Sequence, residues 1–113
     1  MKPITIIAPR FLRLISVVVD ITAITLWPFI ISREEMSEDV LRHETIHIAQ
    51  QKELFVLFFY LLYGWDYFKG ILKYKNKQEA YFKIRFEQEA YEHMFEEEYL
   101  QKRQIYAWKK YKV

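Results

Sequence analysis

With only two glycines and three prolines in 113 residues, this chain has little material for tight turns. Long helices suit it better than an all-β fold. Hydrophobic residues make up 52% and aromatics 19%, which excludes a disordered chain. The length predicts a single domain, residues 1–113, with one hydrophobic core of modest size. A net charge of +2 is too small to recommend nucleic acid as a partner. Cysteine is absent, so disulfides are excluded and any metal site must use nitrogen and oxygen ligands.

Residues 4–7 and 11–31 predict two or three strands, with Pro9 and Pro28 at their limits. Lys2, Arg10 and Arg13 precede an apolar stretch from Leu14 to Ile31, in the manner of a signal peptide or anchor. Asp20 and Pro28 interrupt that stretch, no small-residue cleavage site follows, and its wealth of Val, Ile and Thr favours β structure. A membrane or export segment is the competing reading. Residues 33–39 predict a loop, with Ser37 or Asp39 as N-cap of a helix over about 38–52.

A second helical segment is expected from Glu53 to Tyr74. Its uncharged stretch, Leu54 to Trp65, is short for a membrane span, and Asp66, Lys69 and Gly70 fall inside any longer window. A buried or hairpin helix is expected, with an interfacial helix over 54–72 on a membrane surface as the alternative. After a polar break at Tyr74–Lys77, a third helix is expected over 78–98. The segment Tyr99–Val113 holds five Lys or Arg and no acid, interleaved with Tyr106, Trp108 and Tyr111. It predicts a helix docked by its aromatic side with its basic side in water. Attraction to anionic lipid or to a partner is the other reading.

The chemistry concentrates in His43-Glu44-Thr45-Ile46-His47, an HExxH pattern. Residues four apart on a helix lie about 40° and one turn apart, so both imidazoles project from one face and can share a Zn²⁺ ion. Glu44 sits about 100° further round, near the metal but not on it, where it can act as general base. Gln50 and Gln51 share the arc of His43, Glu44 and His47, whereas Leu41, Ile46, Ile48 and Ala49 fall opposite. The polar arc is expected to look into a cleft, with plain solvent exposure as the other reading of the two glutamines.

Zinc needs a third protein ligand. Glu53, six residues after His47, stands where metzincins carry a histidine, but those enzymes have a glycine midway to end the helix. Gln50 occupies that position, so Glu53 is a poor ligand. Projected over residues 81–98, Ile84, Phe86, Ala90, Tyr91, Met94 and Phe95 share an arc with Glu87 near its centre, and Lys83 falls there too. Glu89, with Arg85, Glu92 and Glu96, falls on the polar side, and His93 is expected to be exposed. A carboxylate amid an apolar stripe is costly unless paired or bound to a cation. Glu87 is therefore the expected third ligand, with a salt bridge to Arg or Lys as the alternative.

These residues resemble the gluzincin class of zinc peptidases, which pair HExxH with a glutamate on a following helix. Glu87-Gln88-Glu89-Ala90-Tyr91 is similar to the E-x-x-A-D segment of membrane-associated heat-shock and CAAX-type peptidases, with Tyr91 in place of the aspartate. The size resembles that of minigluzincins, and the likeness covers roughly residues 14–95. It implies an α+β, zincin-like fold: a small N-terminal twisted β-sheet followed by three or four helices. It also implies a zinc-dependent metallopeptidase acting on a peptide or protein substrate, with His43, His47 and Glu87 on the metal and Glu44 as general base. Tyr91 or another tyrosine is the expected oxyanion donor. The competing functions are a non-catalytic zinc-binding regulatory module and a membrane-surface module. The expected location is cytoplasmic, with or without membrane association.

Overall fold

Short strands form where β-branched residues cluster near the N-terminus. The structure is a computed structural model and describes residues 4–7, 23–32 and 35–113. The part of the expected strand region over 11–22, and with it half of the anchor-like stretch, lies outside the described residues. Strands β1 (Ile4–Ile7), β2 (Ala23–Leu26) and β3 (Phe29–Ser32) form a sheet in the order β1-β3-β2. Strand β1 runs parallel to β3, with Ile4 opposite Phe29, while β2 runs antiparallel to it, with Leu26 opposite Phe29. Trp27 and Pro28 make the turn between β2 and β3 through a cis peptide bond. On β3 the pleat buries Ile30 and Ser32 and exposes Phe29.

Helix α1 spans Glu38–Glu53, close to the expected bounds. Ser37 caps it, its hydroxyl accepting the Val40 N–H at 3.2 Å, and Glu38 and Asp39 in the first turn complement the helix dipole. Helix α2 spans Leu57–Tyr74. Between the two, Phe55 and Val56 adopt φ of 54° and 60°, and the chain turns by 113°. The second helix, expected from Glu53 to Tyr74, thus begins at Leu57, after a corner that no glycine or proline marks. Tertiary contacts hold it instead: Arg103 clamps Glu53, and Leu54 packs against the core. Val56 is β-branched and pays for this geometry in backbone strain.

Lys75 ends α2 in a left-handed conformation. Asn76 then caps α3 (Lys77–Lys83), accepting the Glu79 N–H at 2.9 Å. The expected third helix over 78–98 is not continuous. It breaks at the fully buried Ile84 and resumes as α4 (Arg85–His93). The cause lies in α2. Buried Asp66 accepts the backbone N–H of Arg85 at 3.2 Å and its guanidinium at 2.8 and 3.0 Å, capping α4 from outside. Lys83 thus belongs to α3, which explains its awkward place in an unbroken projection, and Phe95 lies beyond α4 and is exposed. The C-terminal segment is a short helix α5 (Tyr99–Lys102) and a 3-10 turn (Ala107–Lys110) rather than one helix. Trp108 docks in the core as its aromatic side predicts.

The architecture is α+β, with a small mixed sheet preceding the helices. Five α-helices among the described residues replace the expected three or four, because Ile84 divides one and α5 is a single turn. Phe59, Ile84, Phe86 and Trp108 centre the core, with ring centroids 4.6 Å apart for Phe59–Phe86 and 4.9 Å for Phe86–Trp108.

Helices α2 and α3 approach closely at Gly70. A Cβ there would lie 2.9 Å from both Cα and Cβ of Ala80, and Ala80 is fully buried. Gly70→Ala is therefore expected to destabilise by about 1–3 kcal/mol through overpacking. Gly64→Ala, which meets open space, is expected to leave thermal stability unchanged or raised. Thermal denaturation of both variants checks the pair, and equal melting temperatures would contradict this packing.

Candidate metal centre

Helices α1 and α4 pack together, and the crossing brings three side chains to one point. His43 and His47 come from successive turns of α1, and Glu87 from the first turn of α4. Glu87 Oε1 lies 3.0 Å from Nε2 of each histidine, and the two Nε2 atoms lie 3.2 Å apart. All three side chains are buried. Glu89 is not part of this group, nor is Glu53.

The surroundings orient two of the three. The Gln50 carboxamide oxygen lies 2.7 Å from His47 Nδ1. An amide oxygen only accepts, so Nδ1 carries a proton and the ring is held with Nε2 facing Glu87. Tyr63 donates to Glu87 Oε2 at 2.5 Å, leaving Oε1 to the histidines. The His43 ring packs edge-on against Tyr91, centroids 4.4 Å apart, and its Nδ1 is buried without a hydrogen-bond partner among the described residues.

The charges are tightly linked. Burial alone would raise the Glu87 carboxyl, but His47 and His43 hold it well below the usual carboxylate range. Burial alone would likewise lower His47, yet the attraction of Glu87, with Glu44 contributing, pushes it up to about 9. This is a buried anionic carboxylate that draws positive charge onto His47. Burial and the nearby Glu87 push the Tyr63 phenol well above its ordinary value, keeping it a neutral donor.

Glu44 stands half-buried beside the triad. Its Oε2 accepts from the Thr25 hydroxyl on β2 at 2.5 Å, tying α1 to the sheet. Gln51 strengthens that tie, donating to the Thr25 carbonyl at 2.8 Å and accepting the Trp27 N–H at 2.6 Å. Tyr60 also donates to the Thr25 carbonyl.

Several expectations for the polar arcs need correcting. Gln50 and Gln51 face neither a cleft nor solvent. Both are fully buried with their amides engaged. Glu89 points away from the histidines as expected, but it is not solvated as its neighbour Glu92 on the same side of α4 is. Glu89 is fully buried, accepting from Gln50 at 3.0 Å, Tyr99 at 2.7 Å and Arg103 at 2.6 Å. Those donors outweigh its burial and lower its pKa. Arg103 also grips Glu53 through two bonds of 2.9 and 3.0 Å, so this part of the basic C-terminal segment is buried rather than in water. His93 is not exposed either, its side chain being 13% accessible and stacked on Tyr99. Among the residues that sequence reasoning missed, only Gln50 carried a signal, three residues after His47. Tyr63, Thr25 and Arg103 carried none, because their partners lie far away in the chain.

Comparison with protein-family models, curated proteins and solved structures returns no match for this chain.

Arg103 bridges two carboxylates, Glu53 and Glu89, behind the centre. Arg103→Met would leave Glu53 and Glu89 buried without a cation, and breaking such a buried pair typically costs about 3–5 kcal/mol. Urea denaturation is expected to show a loss of that size. A loss below about 1 kcal/mol, the range of surface ion pairs, would contradict the burial of this cluster.

Proposed function

We propose that this chain is a zinc-dependent peptidase in which His43, His47 and Glu87 hold the metal and Glu44 is the general base. The observation that carries the reading is the convergence of His43 Nε2, His47 Nε2 and Glu87 Oε1 at 3.0–3.2 Å from one another in a buried position. The donor set fits the ion. With bonds of about 2.0–2.1 Å, tetrahedral ligands stand about 3.3–3.4 Å apart, so the triad needs to open by only a few tenths of an ångström. Two imidazoles and one carboxylate are a common zinc-peptidase ligand set that keeps a position open for water or substrate. The resemblance of HExxH and the Glu87 segment to gluzincins supports the same assignment.

When bound, zinc lowers the pKa of water and polarises a scissile carbonyl. The rest falls to the chain's own residues. Thr25 fixes one oxygen of Glu44, while the other, Oε1, has no hydrogen-bond partner among the described residues. That oxygen takes the proton of the attacking water and passes it to the leaving amine. Tyr91 is the proposed oxyanion donor. It is 38% exposed, lies against the His43 ring and bonds to the Tyr81 hydroxyl at 3.0 Å. Burial raises its pKa against the opposing effect of Tyr81, so it remains protonated and able to donate.

A second reading, a zinc-holding module without turnover, draws on the filling of the polar arc of α1 by buried Gln50 and Gln51. Catalysis separates the two. Glu44→Gln is expected to keep fold and zinc yet lose about 10²–10⁴-fold in hydrolysis of casein or peptide libraries. Equal cleavage by wild type and variant would rule out Glu44 as the base. Failure of fully zinc-loaded wild type to cleave any substrate would favour the module.

A further inference from the structure

Helix α2 buries one side and leaves the other uncovered. Phe55, Phe58, Leu61, Trp65, Phe68 and Leu72 are 52–81% exposed and, from Phe58 onward, recur at intervals of three and four along a single face. Contiguous exposed apolar surface of this kind marks an interaction site. Its rim is basic. Lys69 and Lys73 continue the exposed face on one side and border a cleft of about 320 Å³, lined also by Arg85, Tyr111, Lys112 and Val113. Asp66 is the only acid in α2, and it is fully buried against Arg85, with the exposed Lys69 ammonium 3.9 Å from its Oδ1.

From this face we infer that α2 lies on an anionic lipid surface, its apolar stripe among the acyl chains and its lysine rim on the headgroup phosphates. The charges choose between occupants. A second copy docked by the same face would set Lys69 and Lys73 against a helix whose single acid, Asp66, is buried, whereas an anionic bilayer supplies the complementary charge. Trp65 and the three phenylalanines are the side chains that interfacial helices place at the boundary between headgroups and acyl chains. No single helix among the described residues is long and apolar enough to cross a membrane; α1 and α2 reach that length and composition only together, across a bend of 113°. Because α1 is packed against α4 and carries the buried His43 and His47, the proposed orientation has α2 along the surface. The metal centre stays close by. Tyr60, at the other edge of the exposed face, bonds to the Thr25 carbonyl, and Thr25 holds Glu44.

Co-sedimentation with vesicles tests this. The full chain is expected to bind phosphatidylcholine–phosphatidylserine vesicles and to bind phosphatidylcholine vesicles weakly. Leu61→Asp is expected to abolish binding, and Lys69→Gln and Lys73→Gln to weaken it about fivefold each. These positions are exposed, so thermal unfolding should be unchanged. Should Leu61→Asp unfold the protein, quenching of Trp65 fluorescence by brominated lipid, lost in Trp65→Phe, tests the same contact in an otherwise intact chain. Failure of the wild type to bind anionic vesicles, or binding without Trp65 quenching, would overturn the proposal. So would a dimer in sedimentation equilibrium that Leu61→Asp dissolves, because a second copy would then cover the face.

Discussion

A carboxylate buried where two helices cross is the constraint around which the rest of this protein is arranged. Glu87 sits amid Ala90, Phe86 and the aromatic core, and such a charge is tolerated only with compensation. Its compensation comes from α1, and it sets the geometry of the fold. Helices α1 and α4 must cross where two histidines one turn apart can reach one oxygen. The corner between α1 and α2 must then bring Tyr63 to the other.

Among the described residues, Asp66, Glu87 and Glu89 are the fully or almost fully buried acids, and they are satisfied differently. Asp66 has Arg85, and Glu89 has Arg103. Both guanidiniums carry a permanent positive charge, so these two sites are complete as they stand. Glu87 has the neutral Tyr63 hydroxyl and, as its ion-pair partners, only histidines, whose charge depends on protonation. It is thus the one of the three suited to an added cation. The two complete pairs brace that site. Asp66–Arg85 starts α4 at the residue that aims Glu87, and Glu89–Arg103 anchors Gln50, which orients His47.

Much of the candidate site was legible in the sequence because it depends on local periodicity. The i, i+4 spacing predicts that His43 and His47 share a face, and the apolar arc around Glu87 predicts that this residue turns inward. What the sequence hid depends on contacts between distant residues. The corner at Phe55 and Val56 has no turn residue and exists because Arg103, about fifty positions later, holds Glu53. The break at Ile84 exists because Asp66 caps α4 from another helix. Gln50, Gln51, Glu89 and His93 read as solvent-facing or cleft-facing because helical projection sorts residues by polarity alone. A polar side chain whose partners are all protein is buried without disobeying hydrophobic patterning.

Metal content of the purified protein, never exposed to chelator, tests the central claim most directly. Elemental analysis is expected to find close to one equivalent of zinc in the wild type. His43→Ala, His47→Ala and Glu87→Ala are each expected to lose it while remaining folded. A wild-type protein that carries no transition metal and takes up none from added zinc would contradict the account.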